Sequence, residues 1–250
     1  MAEQAVETMD GWYCLHDFRS IDWPAWKQAS ADERQEAVDD LVSLLAKWEA
    51  VEEKKAGSHA FYQIVGQKAD LMFMLLRPTM NELGDFETEL AKSKIGDYLV
   101  PAYSYVSVVE LSKYRAYPEG VDPETIPEVA ARLHPILPKW EHMCFYPMDK
   151  RRGDQHNWYD TEFNKRAGLL YEHSKTGRKY AGKVSQIISG SFGFDDWEWG
   201  VTLFAHDVIN LKRIVYEMRF DEASAHYAEF GEFLVGNILN KEDVSGYLQV

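Results

Sequence analysis

Hydrophobic positions recur with two different periods along the chain. Every second residue from Trp12 to Phe18 has a side chain suited to burial, and this alternation predicts a strand over 11–18. After Ser30 the apolar positions follow helical spacing. Glu33 stands three positions after Ser30 and completes a capping box, so a helix is predicted to begin there.

The rest of the first half continues this alternation of elements. Short apolar runs at 61–65 and 71–76 flank a turn with glycine, which is typical of a hairpin. Thr79 and Glu82 form a second capping box, and a β-rich run at 100–111 follows. The predicted order is strand, helix, strand, strand, helix, strand.

Prolines are dense between residues 118 and 138, which predicts an irregular connector and not a helix. Beyond the connector the same order of elements returns. We expect strands at 140–148, 184–194 and 198–205, helices at 162–180 and 207–219, a shorter helix near 222–229 and a last strand around 230–238.

A βαββαβ order that occurs twice is typical of a duplicated ferredoxin-like unit. The sequence therefore predicts an α+β fold in which two such units form a dimeric α+β barrel. The predicted domains are residues 1–117 and 139–250, joined by the connector at 118–138. A ligand would enter such a unit where the sheet and its helices separate.

Composition narrows the classes of partner and the compartment. The net charge is −14, with 41 acidic and 27 basic residues, which disfavours nucleic acid and anionic membrane surfaces. Cys14 and Cys144 lie in apolar runs and are expected to be buried free thiols, as in a reducing cytoplasm. The first residues lack the pattern of a signal peptide, and no apolar run is long enough to span a bilayer. We therefore expect a soluble, cytoplasmic protein.

Candidate chemistry lies in the segment from Tyr146 to Lys150. In a strand, Tyr146, Met148 and Lys150 share one face, and a phenol, a thioether and an ammonium suit a pocket for an anionic, redox-active ligand. A solvated basic loop is the alternative interpretation of Lys150 with Arg151 and Arg152.

His173 is the candidate iron ligand. On the predicted helix it shares an apolar face with Leu169 and Leu170, where it could bind heme iron or be a hydrogen-bonded core histidine. Gln186 on the next strand is either solvated or an amide donor inside the cavity. Motifs for a zinc site, a calcium loop or a hydrolase nucleophile are absent from the sequence.

These features resemble the coproheme decarboxylase family, the hydrogen-peroxide-dependent heme synthases of the chlorite dismutase-like superfamily. The resemblance rests on Tyr146-Pro147-Met148-Asp149-Lys150-Arg151, on His173 and Gln186, and on the doubled ferredoxin-like order. It covers essentially the whole chain after the first ten residues.

The resemblance implies a homopentamer whose subunits each bind one iron coproporphyrin III (coproheme) in the C-terminal half. Hydrogen peroxide would drive loss of two propionates as CO₂, which leaves vinyl groups and gives heme b. His173 would be the proximal iron ligand, and Tyr146 the catalytic residue oxidised to a radical. Lys150 would hydrogen-bond the reacting propionate.

The resemblance also assigns supporting roles. Met148 would lie beside the reacting propionate, and the propionate anchors would be Arg132, Arg219, Ser224 and Tyr114. Gln186 would be the distal residue, where chlorite-splitting relatives are expected to carry arginine, and this argues against chlorite as substrate. A transient contact with the ferrochelatase that supplies coproheme is a further expectation.

Two alternatives remain from the residues alone. One is a heme-binding or heme-transfer protein without catalysis, which needs His173 but not Tyr146. The other is a protein of the same fold with an unrelated or empty pocket.

Overall fold

The structure is a computed structural model that describes residues 5–114 and 120–250. The first half contains four strands and three helices, which is the predicted order with one additional short helix, α1. Their bounds are β1 (Thr8–Ile21), α1 (Trp23–Gln28), α2 (Ala31–Glu49), β2 (Ser58–Val65), β3 (Leu71–Arg77), α3 (Met80–Lys92) and β4 (Leu99–Ser112). Both predicted capping boxes are present, at Ser30 with Glu33 and at Thr79 with Glu82.

The second half repeats this order with additions. Its elements are α4 (Pro127–Leu133), β5 (His142–Lys150), α5 (Phe163–Arg178), β6 (Val184–Gly190), β7 (Trp199–Ala205), α6 (Ile209–Met218), α7 (Glu222–Ala225), β8 (Ala228–Phe230), β9 (Leu234–Ile238) and α8 (Val244–Leu248).

Within its described residues, the chain divides into two compact units that are not continuous in sequence. Unit 1 draws on Met1–Gly11, Ser107–His134 and Trp140–Phe233, and unit 2 on Trp12–Val106, Pro135–Lys139 and Leu234–Val250. The sequence predicts continuous domains, and their expected boundary at 117–118 lies outside the described residues.

Unit 2 consists of an antiparallel sheet covered by helices. β3 pairs with β1 on one side and with β2 on the other, and β9 extends the sheet beyond β2. Leucine and aromatic side chains of α2 and α3 pack on the sheet, as shown by the ring of Trp48 beside Phe73 and Phe86. Burial of this apolar surface is the main stabilising contribution to the unit.

The strands of unit 1 are antiparallel and follow the order β8–β5–β7–β6. On its other side, β6 pairs with the C-terminal part of β4. Trp199 of β7 lies opposite both Met148 of β5 and Gly190 of β6. The helices α5, α6 and α7 belong to the same unit. This arrangement gives the strands a face that points toward the helices.

The prediction of a helix-free connector is wrong. Residues 127–133 form α4, since Pro127 occupies the first turn, where a missing N–H costs no hydrogen bond. Val129 and Leu133 of this helix pack against Met9. Tertiary burial therefore outweighs the local effect of the prolines.

The prediction of one terminal strand around 230–238 is also wrong. Two short strands, β8 and β9, occupy this region, and they pair with β5 and β2 respectively. The helices α1 and α8 were not predicted from the pattern, because both are only a turn or two long. In unit 2 they are connected by the Trp26 indole, which donates a hydrogen bond of 2.8 Å to the Leu248 carbonyl.

Two further features concern the cysteines and the apolar character of the helices. Cys14 and Cys144 are buried free thiols, as predicted. Among the described residues, no helix has the length and apolar character to cross a bilayer.

Candidate functional site

A cavity of about 750 Å³ lies within unit 1. Its floor is made by alternate side chains of the strands, so Tyr146, Met148 and Lys150 of β5 all line it. Residues of α5, α6 and α7 form the opposite side. All nine residues singled out from the sequence line this cavity: Tyr114, Arg132, Tyr146, Met148, Lys150, His173, Gln186, Arg219 and Ser224.

His173 is held by a carboxylate on its far side. Its Nδ1 lies 2.9 Å from Oδ2 of Asp221, and Asp221 also accepts a hydrogen bond of 2.9 Å from the Ser224 backbone N–H. Burial raises the pKa of Asp221, but the hydrogen bonds from His173 and Ser224 outweigh it, so the pKa is below its ordinary value. An ionised Asp221 accepts a hydrogen bond from Nδ1–H of His173, which leaves Nε2 as the nitrogen with a lone pair.

Tyr146 is buried among aromatic rings. Its ring stacks on Phe233 at a centroid distance of 4.4 Å and lies 5.8 Å from Phe230. Burial raises the pKa of the Tyr146 hydroxyl, the nearby Cys144 adds to this, and Arg219 opposes it. The side chain is therefore a neutral phenol at physiological pH.

Lys150 reaches the cavity beside α7. Its Nζ lies 4.5 Å from the ring centroid of Trp158 and donates a hydrogen bond of 3.5 Å to the Ala223 carbonyl. Burial lowers the pKa of Lys150 to about 8, against the opposing influence of Asp221. A partly desolvated ammonium of this kind gains strongly from a ligand carboxylate.

Arg219 and Ser224 flank the same region. The Arg219 guanidinium lies 3.4 Å from the ring centroid of Phe230, so a cation sits next to the aromatic cluster around Tyr146. Ser224 is buried, and its hydroxyl donates to Asp221 at 3.3 Å.

The other residues predicted for the site are more exposed to solvent. Arg132 is an exposed residue of α4, and Tyr114 stacks on Phe163 at 5.3 Å. Gln186 is exposed on β6, near the turn of α5 that follows His173, where a Cβ on Gly177 would lie 4.0 Å from the Gln186 amide nitrogen. Gln186 is therefore exposed to solvent and also lines the cavity, so each of its two interpretations is partly correct.

Sequence reasoning missed several lining residues. Arg166 is a buried cation on α5, two turns before His173 and on the same helix face. That spacing could have identified it. Trp158, whose ring contacts Lys150, and the pair Glu110 and Trp199 depend on loop and strand packing, for which the sequence carries no local pattern.

The cavity fits an iron porphyrin that bears carboxylates. One histidine has a fixed tautomer and a nitrogen available for iron, and the buried or partly buried cations Lys150, Arg166 and Arg219 can pair with carboxylates. Apolar strand residues such as Val201 and Leu203 suit a flat macrocycle. Among the described residues, no cluster of three or more His, Cys, Asp or Glu competes as a protein-only metal site.

Comparison with known proteins shows the family of the chain. A sequence profile of the family described as chlorite dismutase matches residues 34–239. The chain belongs to the chlorite dismutase family. A heme-binding protein from Thermus thermophilus is 47% identical, with a TM-score of 0.93 and 98% coverage of both chains.

More distant members of the chlorite dismutase family share the fold. A chlorite dismutase variant from Candidatus Nitrospira defluvii is 18% identical with a TM-score of 0.76, over 96% of this chain and 95% of that one. A putative chlorite dismutase is 16% identical with a TM-score of 0.74, over 96% of this chain and 100% of that one. The predicted α+β fold of this superfamily is confirmed.

Proposed function

We propose that this chlorite dismutase family member is a coproheme decarboxylase. Its substrate would be iron coproporphyrin III, and its product heme b. The observation that carries the proposal is the buried phenol of Tyr146 within the same cavity as Lys150 and His173. A protein that only holds heme has no need of a redox-active phenol at this place.

The chemistry balances with peroxide as oxidant. One propionate, one hydrogen peroxide and one proton give one vinyl group, one CO₂ and two waters. The iron porphyrin supplies the two-electron oxidation by peroxide when it is bound. Two such rounds convert the substrate into heme b.

The residues of the chain have separate tasks in this proposal. Nε2 of His173 would bind the iron, and Asp221 would select the tautomer that leaves this nitrogen its lone pair, because it accepts the hydrogen bond from Nδ1. Tyr146 would give up an electron and its phenolic proton together, because burial disfavours the phenolate, and the resulting radical would oxidise the propionate. Lys150 would hold that propionate by a charge-assisted hydrogen bond.

Further residues would orient the substrate. Arg219 and Arg132 are suited to pair with propionates that do not react, and Ser224 and Tyr114 offer hydroxyl donors. Met148 would pack beside the reacting group, and Gln186 would orient peroxide with its amide. A neutral amide in that place also agrees with a substrate other than chlorite.

Heme binding or transfer without catalysis is the second candidate. The relative from Thermus thermophilus favours it, because that protein is a heme-binding protein. This alternative uses His173 and the cations but assigns no task to Tyr146.

A titration followed by oxidation separates the two. Purified protein is titrated with ferric coproporphyrin III while the Soret band is recorded, and hydrogen peroxide is then added in equivalents. The proposal predicts a shifted Soret band and two successive products, each lighter by CO₂ and two hydrogen atoms. Binding without any change of product mass would favour the carrier, and no Soret shift would exclude both functions.

The proposed assembly and partners have their own tests. We expect a homopentamer in solution, which the mass from light scattering would show. A ferrochelatase that delivers coproheme is the proposed upstream partner, and faster loading in its presence would support it.

A further inference from the structure

Glu110 lies in a corner of the cavity that the proposed mechanism does not use. The Trp199 indole donates a hydrogen bond of 3.0 Å to Oε1 of Glu110. On the other side, Gly190 leaves room for the carboxyl, because a Cβ there would lie 2.4 Å from Oε2. The carboxyl group is thus enclosed between an indole and a bare stretch of backbone, and it faces the ligand space.

The electrostatic surroundings favour the protonated form. Burial raises the pKa of Glu110, the hydrogen bond from Trp199 opposes this, and the nearby carboxylate of Asp10 raises it further. Asp10 is the charged group that faces Glu110 from β1, while β6 and β7 present Gly190 and Trp199. Within residues 5–114 and 120–250, no ion pair joins Glu110 to a lysine or arginine.

The corner differs from the other cavity walls. Lys150 and Arg219 lie next to β5 and α7, where a ligand carboxylate meets a cation. Trp199 pairs with Met148 of β5 in the sheet, and its indole contacts Glu110. The corner around Glu110 is therefore separated from the β5 residues Tyr146, Met148 and Lys150 by strand β7. A ligand carboxylate that enters this corner would meet the Glu110 carboxyl and the Trp199 indole.

We infer that Glu110 is a specificity-determining residue that receives a carboxylate of the substrate as a neutral hydrogen-bond donor. The inference rests on the proposed function for the identity of the ligand. An O–H···O⁻ hydrogen bond to a carboxylate is among the shorter and stronger kinds in proteins. Oε1 of Glu110 already accepts the hydrogen bond from the Trp199 indole, which leaves Oε2 to carry the proton toward the ligand.

The sign of the pH effect follows from the charge. Below its raised pKa, Glu110 is neutral and donates to the ligand carboxylate. Above it, the carboxylate of Glu110 repels the ligand carboxylate, so affinity falls as pH rises. Glutamine has nearly the same shape and remains a neutral donor at every pH.

The test uses metal-free coproporphyrin III as the probe, so its outcome does not depend on iron binding or turnover. Affinity is measured by porphyrin fluorescence between about pH 5 and about pH 7.5, a range that lies below the Lys150 pKa of about 8. We expect the affinity of the wild type, relative to that of Glu110→Gln, to fall as the pH rises across this range. At the upper pH the wild type should bind about tenfold more weakly than the variant.

Two matched controls and one further test variant isolate the effect. Glu87→Gln changes another glutamate with a raised pKa, on α3 in unit 2, and should keep the pH dependence of the wild type. Gly190→Ala should displace Glu110 and weaken binding at both pH values, whereas Gly84→Ala, with open space around it, should not.

The outcomes are distinct. A wild-type affinity that falls relative to that of Glu110→Gln as the pH rises supports the donor role of Glu110, and a change in the opposite direction contradicts it. A ratio of the two affinities that stays constant, while both proteins bind the porphyrin, overturns the inference and leaves the proposed function in place. No binding of the porphyrin by the wild type would overturn the proposed function as well.

Discussion

At the residue scale, Asp221 connects three features of the site. It accepts hydrogen bonds from His173 and from the Ser224 backbone, and it stabilises the charged form of Lys150. One carboxylate therefore fixes the histidine tautomer, the start of α7 and the charge of the nearby ammonium. Its loss should change the iron site and the propionate site together.

Asp221→Asn tests this connection. A neutral amide oxygen accepts a weaker hydrogen bond from Nδ1–H than a carboxylate does, so His173 becomes a weaker electron donor to bound iron. We expect a higher midpoint potential for the coproheme complex, measured by spectroelectrochemistry. His173→Ala should abolish the nitrogen-ligand signature altogether, while the exposed His206→Ala serves as its control. An unchanged potential in Asp221→Asn would contradict this account of the proximal side.

Lys150 predicts a second pH effect, in the alkaline range. Its pKa of about 8 means that the ammonium is present below that pH and is lost as pH rises through it. Affinity for coproporphyrin should therefore fall above about pH 8 in the wild type. The uncharged variant Lys150→Met should bind more weakly at neutral pH, with no further loss in this range. The same alkaline decline in both proteins would exclude Lys150 as its origin.

At the element scale, strand alternation explains why much of the site could be predicted. The side chains of Tyr146, Met148 and Lys150 share a face simply because they are two residues apart, and β5 is a regular strand. Capping boxes are equally local, so α2 and α3 begin where the sequence indicates. Local rules sufficed wherever neighbouring residues decide the structure.

Tertiary contacts decide the elements that were predicted wrongly. α4 forms although its segment is rich in proline, because Leu133 is completely buried against Met9 and Val129. Gly11 permits this packing, since a Cβ there would lie 2.0 Å from the Leu133 carbonyl oxygen. α4 also carries Arg132, so its docking bears on the cavity.

Leu133→Ala should therefore destabilise unit 1. Removing a fully buried leucine side chain costs about 2–5 kcal/mol of the free energy of unfolding. Denaturant unfolding would measure this change, and the exposed Ala131→Ser on the same helix should stay within about 0.5 kcal/mol. A similarly small change for Leu133→Ala would show that α4 is not docked as described.

At the scale of the whole molecule, charge is distributed unevenly. The chain carries a net charge of −14, yet Lys150, Arg166 and Arg219 line one cavity. An acidic exterior disfavours nonspecific binding of anions, whereas the cavity attracts them. This contrast suits a porphyrin that bears several carboxylates.

The division into units shows what the sequence could not reveal. The repeated order of elements was correctly read from periodicity, but unit 2 includes β9 from the C-terminal end of the chain. Strand partners far apart in sequence are chosen by packing, for which a single sequence holds no local pattern. Glu110, whose neighbours Gly190 and Trp199 lie on β6 and β7, was missed for the same reason, whereas its helical spacing from His173 could have identified Arg166.

The central claim is that Tyr146 oxidises a propionate in this cavity. The most direct measurement loads wild type and Tyr146→Phe with ferric coproporphyrin III, adds hydrogen peroxide and determines the porphyrin masses. Tyr216→Phe, an exposed tyrosine on α6, is the matched control. The account predicts heme b from the wild type and the control, and intact coproheme from Tyr146→Phe with nearly normal binding. Unchanged formation of heme b by Tyr146→Phe would contradict it.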